Sequence, residues 1–184
     1  SVDHGFSYNG VNLKDGYQTP LSGEYRYLYD ADRNLIQTSF PSGGQINNLF
    51  ESGRLTQTQT PEGNIDIIYG CGNNISSMTK GAESIAYEYD GRLLTDVTLS
   101  GTLNLHLAYT YNNDFRADSV AYAGETEAYT YDADGLLTGT GGYTISRNPQ
   151  NGLPENVSGG GLNMDRGFNG YGELDSQSVA IGGN

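Results

Sequence analysis

Two Asp-x-Asp pairs have the residue types and spacing best suited to chemistry: Asp30 with Asp32, and Asp132 with Asp134. Two neighbouring carboxylates can divide acid and base duties, as glycoside-cleaving enzymes require. Both pairs fall inside one short pattern, an aromatic residue followed by Asp or Asn. Other stretches with that pattern put Asn112, Glu51 or Gly70 where the pair begins. Residues that vary with a repeat are read as parts of its turn, so no catalytic residue is assigned and no enzymatic activity is expected. The run Asp132-Ala133-Asp134-Gly135 also resembles the start of an acidic calcium loop. An EF-hand loop needs a Glu at its twelfth position, where this chain has Tyr143. No cofactor or metal is therefore expected, with calcium at the acidic turns the weaker alternative.

The remaining reactive types are few. Cys71 is the only cysteine, which excludes an internal disulfide and a multi-thiolate metal site, and it reads as a turn residue. His4 or His106 could be paired with one of the many Ser residues for nucleophilic catalysis, but a solvent-facing strand histidine is the preferred reading of His106. In Leu105-His106-Leu107 the alternation puts the imidazole on the face opposite the leucines. Gly-rich runs such as Ser158-Gly159-Gly160-Gly161 lack the strand-to-helix context of a phosphate loop. Tyrosine is the abundant type, at 15 of 184 residues with no Trp. Sugars pack on such rings, and Asn, Asp and Gln supply hydrogen bonds. Tyr122, Tyr143 and Tyr171 fall outside the aromatic register described below and are the candidates for ligand contact.

Those side chains must be positioned by β-structure. Apolar residues make up 35% of the chain and charged residues 17%, with 27 glycines. Ahead of each turn the apolar residues alternate, as in Tyr25-x-Tyr27-x-Tyr29 and Leu107-x-Tyr109-x-Tyr111, which puts them on one face of a strand. No apolar spacing of three and four residues marks a helix. The formal charge of −13 repels phosphate backbones, so nucleic acid is not expected as a partner. No apolar run approaches the ~20 residues of a spanning helix.

A repeat of roughly 20 residues organises the chain. Its copies place an aromatic at Tyr29, Phe50, Tyr69, Tyr89, Tyr111, Tyr131 and Phe168, with Asp30, Asp90 and Asp132 directly after three of them. Turn glycines follow at Gly135 and Gly172. An apolar residue closes each copy at Leu35, Leu55, Ile75, Leu93, Ala117, Leu137 and Leu174. The copies at Phe50 and Tyr89 have shortened turns, and Arg147-Asn148-Pro149-Gln150-Asn151-Gly152-Leu153 is degenerate. Each copy reads as a strand, a turn and a second strand, closed by Pro-x-Gly (Pro41, Pro61) or a single Gly. Residues 1–24 are read as a lead-in with a partial repeat, and 25–184 as about eight repeats. Hairpins of this kind are marginal alone and stable when stacked.

The Y-D-x-x-G-R-L core and its Pro-x-Gly spacer resemble the YD repeat of the RHS proteins, large bacterial surface and toxin-associated polypeptides. Teneurins and the BC components of insecticidal toxin complexes carry similar repeats. The likeness runs from about Tyr25 onward and is strongest at Tyr29–Leu35, Tyr89–Leu93 and Tyr131–Leu137. It implies an all-β fold: tandem hairpins in a curved or spiral antiparallel sheet, here an open segment of a shell. The shell's self-cleaving C-terminal motif is not found; Asp165-Arg166-Gly167 lacks its Pro and spacing. The resemblance implies a non-enzymatic shell or scaffold segment of a large secreted or cell-surface bacterial protein, the alternative being a carbohydrate-binding adhesion module. Expected partners are neighbouring repeats of a parent polypeptide, or a second copy through edge strands, with glycans on the alternative reading.

Overall fold

A computed structural model describes residues 3–21 and 23–182 of the chain. Among these residues eighteen strands belong to one antiparallel sheet, with a single 3₁₀ turn at Cys71–Asn73 and no α-helix. The all-β class read from the alternation of apolar residues is therefore the observed one.

The chain divides into two compact units, residues 1–92 with 97–104 and residues 93–96 with 105–184. In the first, β1 (Gly5–Tyr8), β2 (Lys14–Gln18), β3 (Glu24–Tyr29), β4 (Leu35–Ser39) and β5 (Gln45–Glu51) follow one another. They continue into β6 (Arg54–Thr60), β7 (Gly63–Tyr69), β8 (Ile75–Lys80) and β9 (Glu83–Asp90). Each pairs antiparallel with the next in sequence. The residues of β10 (Leu93–Ser100) are divided between the units. The second unit runs through β11 (Leu105–Tyr111), β12 (Ala117–Tyr122), β13 (Glu125–Tyr131) and β14 (Leu137–Thr140). It ends with β15 (Tyr143–Arg147), β16 (Pro154–Gly159), β17 (Leu162–Phe168) and β18 (Leu174–Ile181), again paired in order.

One turn design explains the repeat. The residue after the aromatic and the residue four further on exchange a backbone bond, as in Asp132 N to Leu136 O at 3.0 Å and Asn112 N to Arg116 O at 2.9 Å. The backbone then takes a left-handed step at the fourth residue after the aromatic: Asn12, Arg33, Asn73, Phe115, Gly135 and Gly172 all have φ between 60° and 79°. Glycine enters that conformation at no steric cost, which is why it recurs at 135 and 172. The Asp or Asn side chain completes the turn. Asp132 Oδ1 accepts N–H from Asp134 and Leu136 at 3.0 and 2.8 Å. Asn112 Oδ1 accepts from Asp114 and Arg116 at 2.9 and 3.1 Å. A carboxylate and an amide oxygen do this equally well, so Asp and Asn interchange.

The same geometry accounts for the six-residue spacing. The aromatic and the closing residue are direct cross-strand partners: Tyr29 with Leu35, Tyr69 with Ile75, Tyr131 with Leu137 and Phe168 with Leu174. Each such pair sits at a register shift, where the second strand carries one extra residue. In the degenerate copy the partner of Arg147 is Pro154, not Leu153. The lead-in has the same plan: Tyr8 pairs with Lys14 across a shifted register, and Asn9 Oδ1 accepts from Val11 and Leu13.

Packing is confined to a single layer. Among the described residues the buried large apolar side chains are Ile67 and Val120, at 9% and 7% exposure. A sheet with no second layer cannot take its strands out of water. Its stability must come from the ladder and from contacts between side chains on the same face.

Candidate functional site

The two faces of the sheet differ in chemistry. On one face of the first unit, Phe6, Tyr17 and Tyr25 lie across successive strands, with ring centroids 5.1 and 5.9 Å apart. Phe40 meets Tyr25 edge-on at 5.8 Å. Ile65, Ile67, Met78 and Ile85 continue that face through the pairs Ile67–Met78 and Met78–Ile85. In the second unit the corresponding pairs are Leu107–Tyr122, Tyr109–Val120, Tyr129–Thr140 and Thr140–Tyr143. Tyr122 and Tyr143 therefore share the face of the repeat tyrosines, although their spacing had set them apart in sequence. Tyr171 lies in the turn between β17 and β18 and is 92% exposed.

The repeat tyrosines do more than pack. Tyr69 donates its hydroxyl to Leu55 O at 3.1 Å, and Tyr131 donates to Ala117 O at 2.8 Å. Tyr29 reaches Lys14 O and Tyr111 reaches Leu94 O, at 2.8 and 2.7 Å. In each case the acceptor belongs to the preceding hairpin, at or next to the residue that closes its turn. Each ring thus ties one hairpin to the one before it. Where the aromatic is Phe50, the substitute is Asn48, whose Nδ2 donates to Leu35 O at 2.9 Å. Where it is Arg147, Nε donates to Leu137 O at 2.9 Å while Nη1 reaches Gly152 O at 2.8 Å. The preceding turn adds a cation over the ring in two copies: Arg54 lies 5.4 Å from the Tyr69 centroid and Arg116 lies 5.9 Å from that of Tyr131.

The opposite face is a polar ladder. Gln37 donates to Asn47 at 2.8 Å, Gln57 to Asp66 at 2.6 Å and Gln59 to Gln57 at 2.8 Å. In the second unit Asn156 donates to Asn163 and Asp165, at 2.8 and 2.7 Å. Hydroxyl pairs Thr110–Ser119 and Thr130–Thr138 belong to the same face. Leu28, Leu49 and Ile68, each just before a turn aromatic, interrupt this face and stay about half exposed.

Ionisable groups are placed for structure. Asp30 is held below the ordinary carboxylate range chiefly by its side-chain bond with Asn34, Oδ2 accepting from Nδ2 at 3.0 Å. Glu83 is depressed by the Thr102 hydroxyl and backbone N–H, which hold the 101–104 loop against β9. That clamp walls a cleft of about 270 Å³ formed mainly by Ile65, Met78, Ile85, Leu99 and Leu103. Tyr129 is pushed up by burial and then by the neighbouring Glu127. His106 Nε2 lies 2.8 Å from Asp96 Oδ1 and is solvent-facing, a pairing that no local sequence pattern announces. Among the described residues no three His, Cys, Asp or Glu side chains gather as a metal ion would require. Cys71 is exposed within its turn. Among the described residues no helix is long and apolar enough to cross a membrane.

This architecture has counterparts among solved structures. A crystal structure of TcdB2–TccC3–Cdc42 matches 96% of the chain with a TM-score of 0.80 at 12% identity. A TcdB2–TccC3–TEV crystal structure covers 86% of the chain with a TM-score of 0.60 at 14% identity. A Photorhabdus luminescens Tc holotoxin pore covers 95% with a TM-score of 0.53 at 13% identity. At such identities the likeness concerns the fold. The chain spans only about a tenth of these polypeptides, 11%, 9% and 13% respectively. No curated protein sequence matches it. The family model described as Teneurin YD-shell matches residues 4–184, nearly the whole chain, and the chain belongs to that family of structural shells.

Proposed function

We propose that this chain is a stretch of wall in a hollow shell, within a large secreted or cell-surface bacterial polypeptide of the YD-repeat kind. The observation that carries the reading is the single-layer sheet with two unlike faces, one an aromatic and aliphatic ladder and the other a hydrogen-bonded amide and hydroxyl ladder. A wall needs such a pair, because one face meets the enclosed volume and the other meets the medium. The repeat tyrosines serve as ties between hairpins. The enclosed material would be another part of the same polypeptide, and the neighbours of this segment would be further repeats.

Paired cysteine labels test this. In the full-length polypeptide with Cys71→Ser, one variant carries Gln57→Cys on the polar face and another carries Thr58→Cys on the aromatic face. Maleimide reacts quickly with one and slowly with the other if the sheet separates an inside from an outside. Equal rates would rule out a wall.

A second reading is favoured by Tyr171, an almost fully exposed ring beside the Asn169 amide. It is a carbohydrate-binding surface for adhesion, with Tyr122 and Tyr143 as further contacts. Titration with sugars to millimolar concentration, followed by amide NMR shifts, tests it, and unmoved resonances around these three residues would remove it.

A further inference from the structure

The Asx turns that build the repeat place some asparagines in a chemically reactive setting. Asn-Gly occurs in three described turns: Asn9-Gly10, Asn151-Gly152 and Asn169-Gly170. We propose that Asn9 and Asn169 are self-modifying sites that deamidate in the folded chain, and that the fold protects Asn151.

The reaction is intramolecular. The backbone nitrogen of the following glycine, after losing its proton to water, attacks the asparagine Cγ and forms a C–N bond. The Cγ–Nδ2 bond then breaks, and the nitrogen leaves as ammonia after taking up protons. Water opens the resulting cyclic imide at either carbonyl, giving Asp or its backbone-lengthened isomer. Overall one water is consumed and one ammonia released, with no oxidant or cofactor.

Two features promote the step at Asn9 and Asn169. The first is a pair of N–H donors already aimed at the amide oxygen on which negative charge develops. Asn9 Oδ1 accepts from Val11 and Leu13 at 3.1 and 2.9 Å. Asn169 Oδ1 accepts from Tyr171 and Glu173 at 2.9 and 3.0 Å. Preorganised donors at a developing oxyanion are a large source of rate enhancement. The second is the attacking nitrogen. Neither Gly10 N nor Gly170 N is held in a hydrogen bond, and no atom lies within 4 Å of where a side chain would start on either glycine.

Asn151 has neither advantage. Its Oδ1 accepts one bond, from Leu153 N at 3.0 Å, and Gly152 N is engaged by Asn148 O at 2.8 Å. Gly152 is also fixed at φ +72° with Leu136 Cδ1 close by. Attack there must first break a turn bond. Asn112 has the same two donors as Asn9, but Asn113 follows it, and its side chain crowds the attacking nitrogen.

The products differ in effect. Asp at position 9 rebuilds the turn that Asp132 already makes. The lengthened isomer shifts the Tyr8–Lys14 register and with it the carbonyl that accepts the Tyr29 hydroxyl. At Asn169 even plain Asp is disruptive, because Nδ2 now donates to Glu173 Oε2 at 2.8 Å and a carboxylate there would repel it.

The test is incubation of the intact chain at pH 8.5 and 37 °C with peptide mapping by mass spectrometry, folded and in urea. The folded chain converts Asn9 and Asn169 while Asn151 lags by about tenfold or more. In urea the three rates converge, which shows that the difference lies in the fold. Gly10→Ala and Gly170→Ala, both at sites open enough to keep the turn, abolish conversion at their own site alone. Asn151 converting as fast as the other two in the folded chain would overturn the proposal, as would full retention of Asn9 and Asn169.

Discussion

The tie between hairpins can be dissected where nature has already moved it. In four copies a tyrosine hydroxyl satisfies a carbonyl beside the preceding turn. In the copy at Phe50 the donor is Asn48, whose Nδ2 lies 2.9 Å from Leu35 O. Asn48→Ala removes that bond and also the 3.0 Å bond that Thr58 Oγ1 donates to Asn48 Oδ1. One net hydrogen bond is worth about 0.5–1.5 kcal/mol, and a half-buried carbonyl left without a donor raises the cost, so the loss is about 1–2 kcal/mol. Phe50→Tyr alone changes stability little, because the Leu35 carbonyl is already taken. In the Asn48→Ala background the new hydroxyl reaches the vacant carbonyl as Tyr69 and Tyr131 reach theirs, and recovers about 1 kcal/mol. The coupling between the two sites is then about 0.5–1.5 kcal/mol, in the range expected of residues sharing one partner. The chain has no tryptophan, so urea unfolding is followed by the fluorescence of its 15 tyrosines. With a slope of about 1–3 kcal/mol per molar, the single loss moves the midpoint by a few tenths of a molar or more. The reasoning fails if Phe50→Tyr has the same effect in both backgrounds, or if Asn48→Ala leaves the midpoint where it was.

Three further outcomes follow from the same turns. Phe115 occupies the left-handed position at φ +60° and is largely exposed, so Phe115→Gly relieves backbone strain and raises stability by about 0.5–1 kcal/mol in the same urea assay. Arg147→Met loses the bonds to Leu137 O and Gly152 O and costs about 2–3 kcal/mol, seen as faster amide hydrogen exchange in β14 and β15. Glu83 and Asp30 are held below their ordinary 4.5 and 3.8, so the stability they contribute is present above those values and is lost as pH falls through the lower folded values. Thr102→Ala takes away the larger part of the Glu83 contribution, and circular dichroism across an acid titration shows a smaller acid-side loss for that variant.

Much of this architecture could be read from residue order because the repeat enforces period two and one turn chemistry. Tyr25, Tyr27 and Tyr29 alternate because one face of β3 carries rings, and Asp132 precedes Gly135 by three because the turn needs an acceptor first and a left-handed residue later. The tie from Asn48 to Leu35 was not legible. An amide in a strand is unremarkable in sequence, and only the missing hydroxyl of Phe50 gives it a purpose. The lead-in was legible only as a partial repeat, since Lys14 stands where an apolar residue closes the other copies. The face of Tyr122 was not legible for a different reason. Its spacing was measured from the turn aromatics, whereas the face of a residue in the second strand is set by the extra residue at the register shift. That shift is a property of paired strands and has no mark in one strand alone.

The thinness of the sheet explains why the repeat spends its most characteristic residue on a carbonyl. In a two-layer domain burial dominates stability, and a tyrosine at such a position could be replaced by any large apolar side chain. Here Ile67 and Val120 are nearly alone in being buried, so apolar area contributes little that a phenylalanine would not. What the ring face alone cannot supply is a hydrogen-bond donor for the turn-closing carbonyl of the neighbouring hairpin. Removing the shift would flip every following side chain to the other face, because strand side chains alternate with period two. The shift must stay. A hydroxyl carried at the end of a rigid ring answers that need from the next hairpin. An amide or a guanidinium can take its place, as Asn48 and Arg147 do, whereas an aromatic without a donor cannot do so alone. The tyrosine of the repeat is therefore selected for its oxygen as much as for its ring.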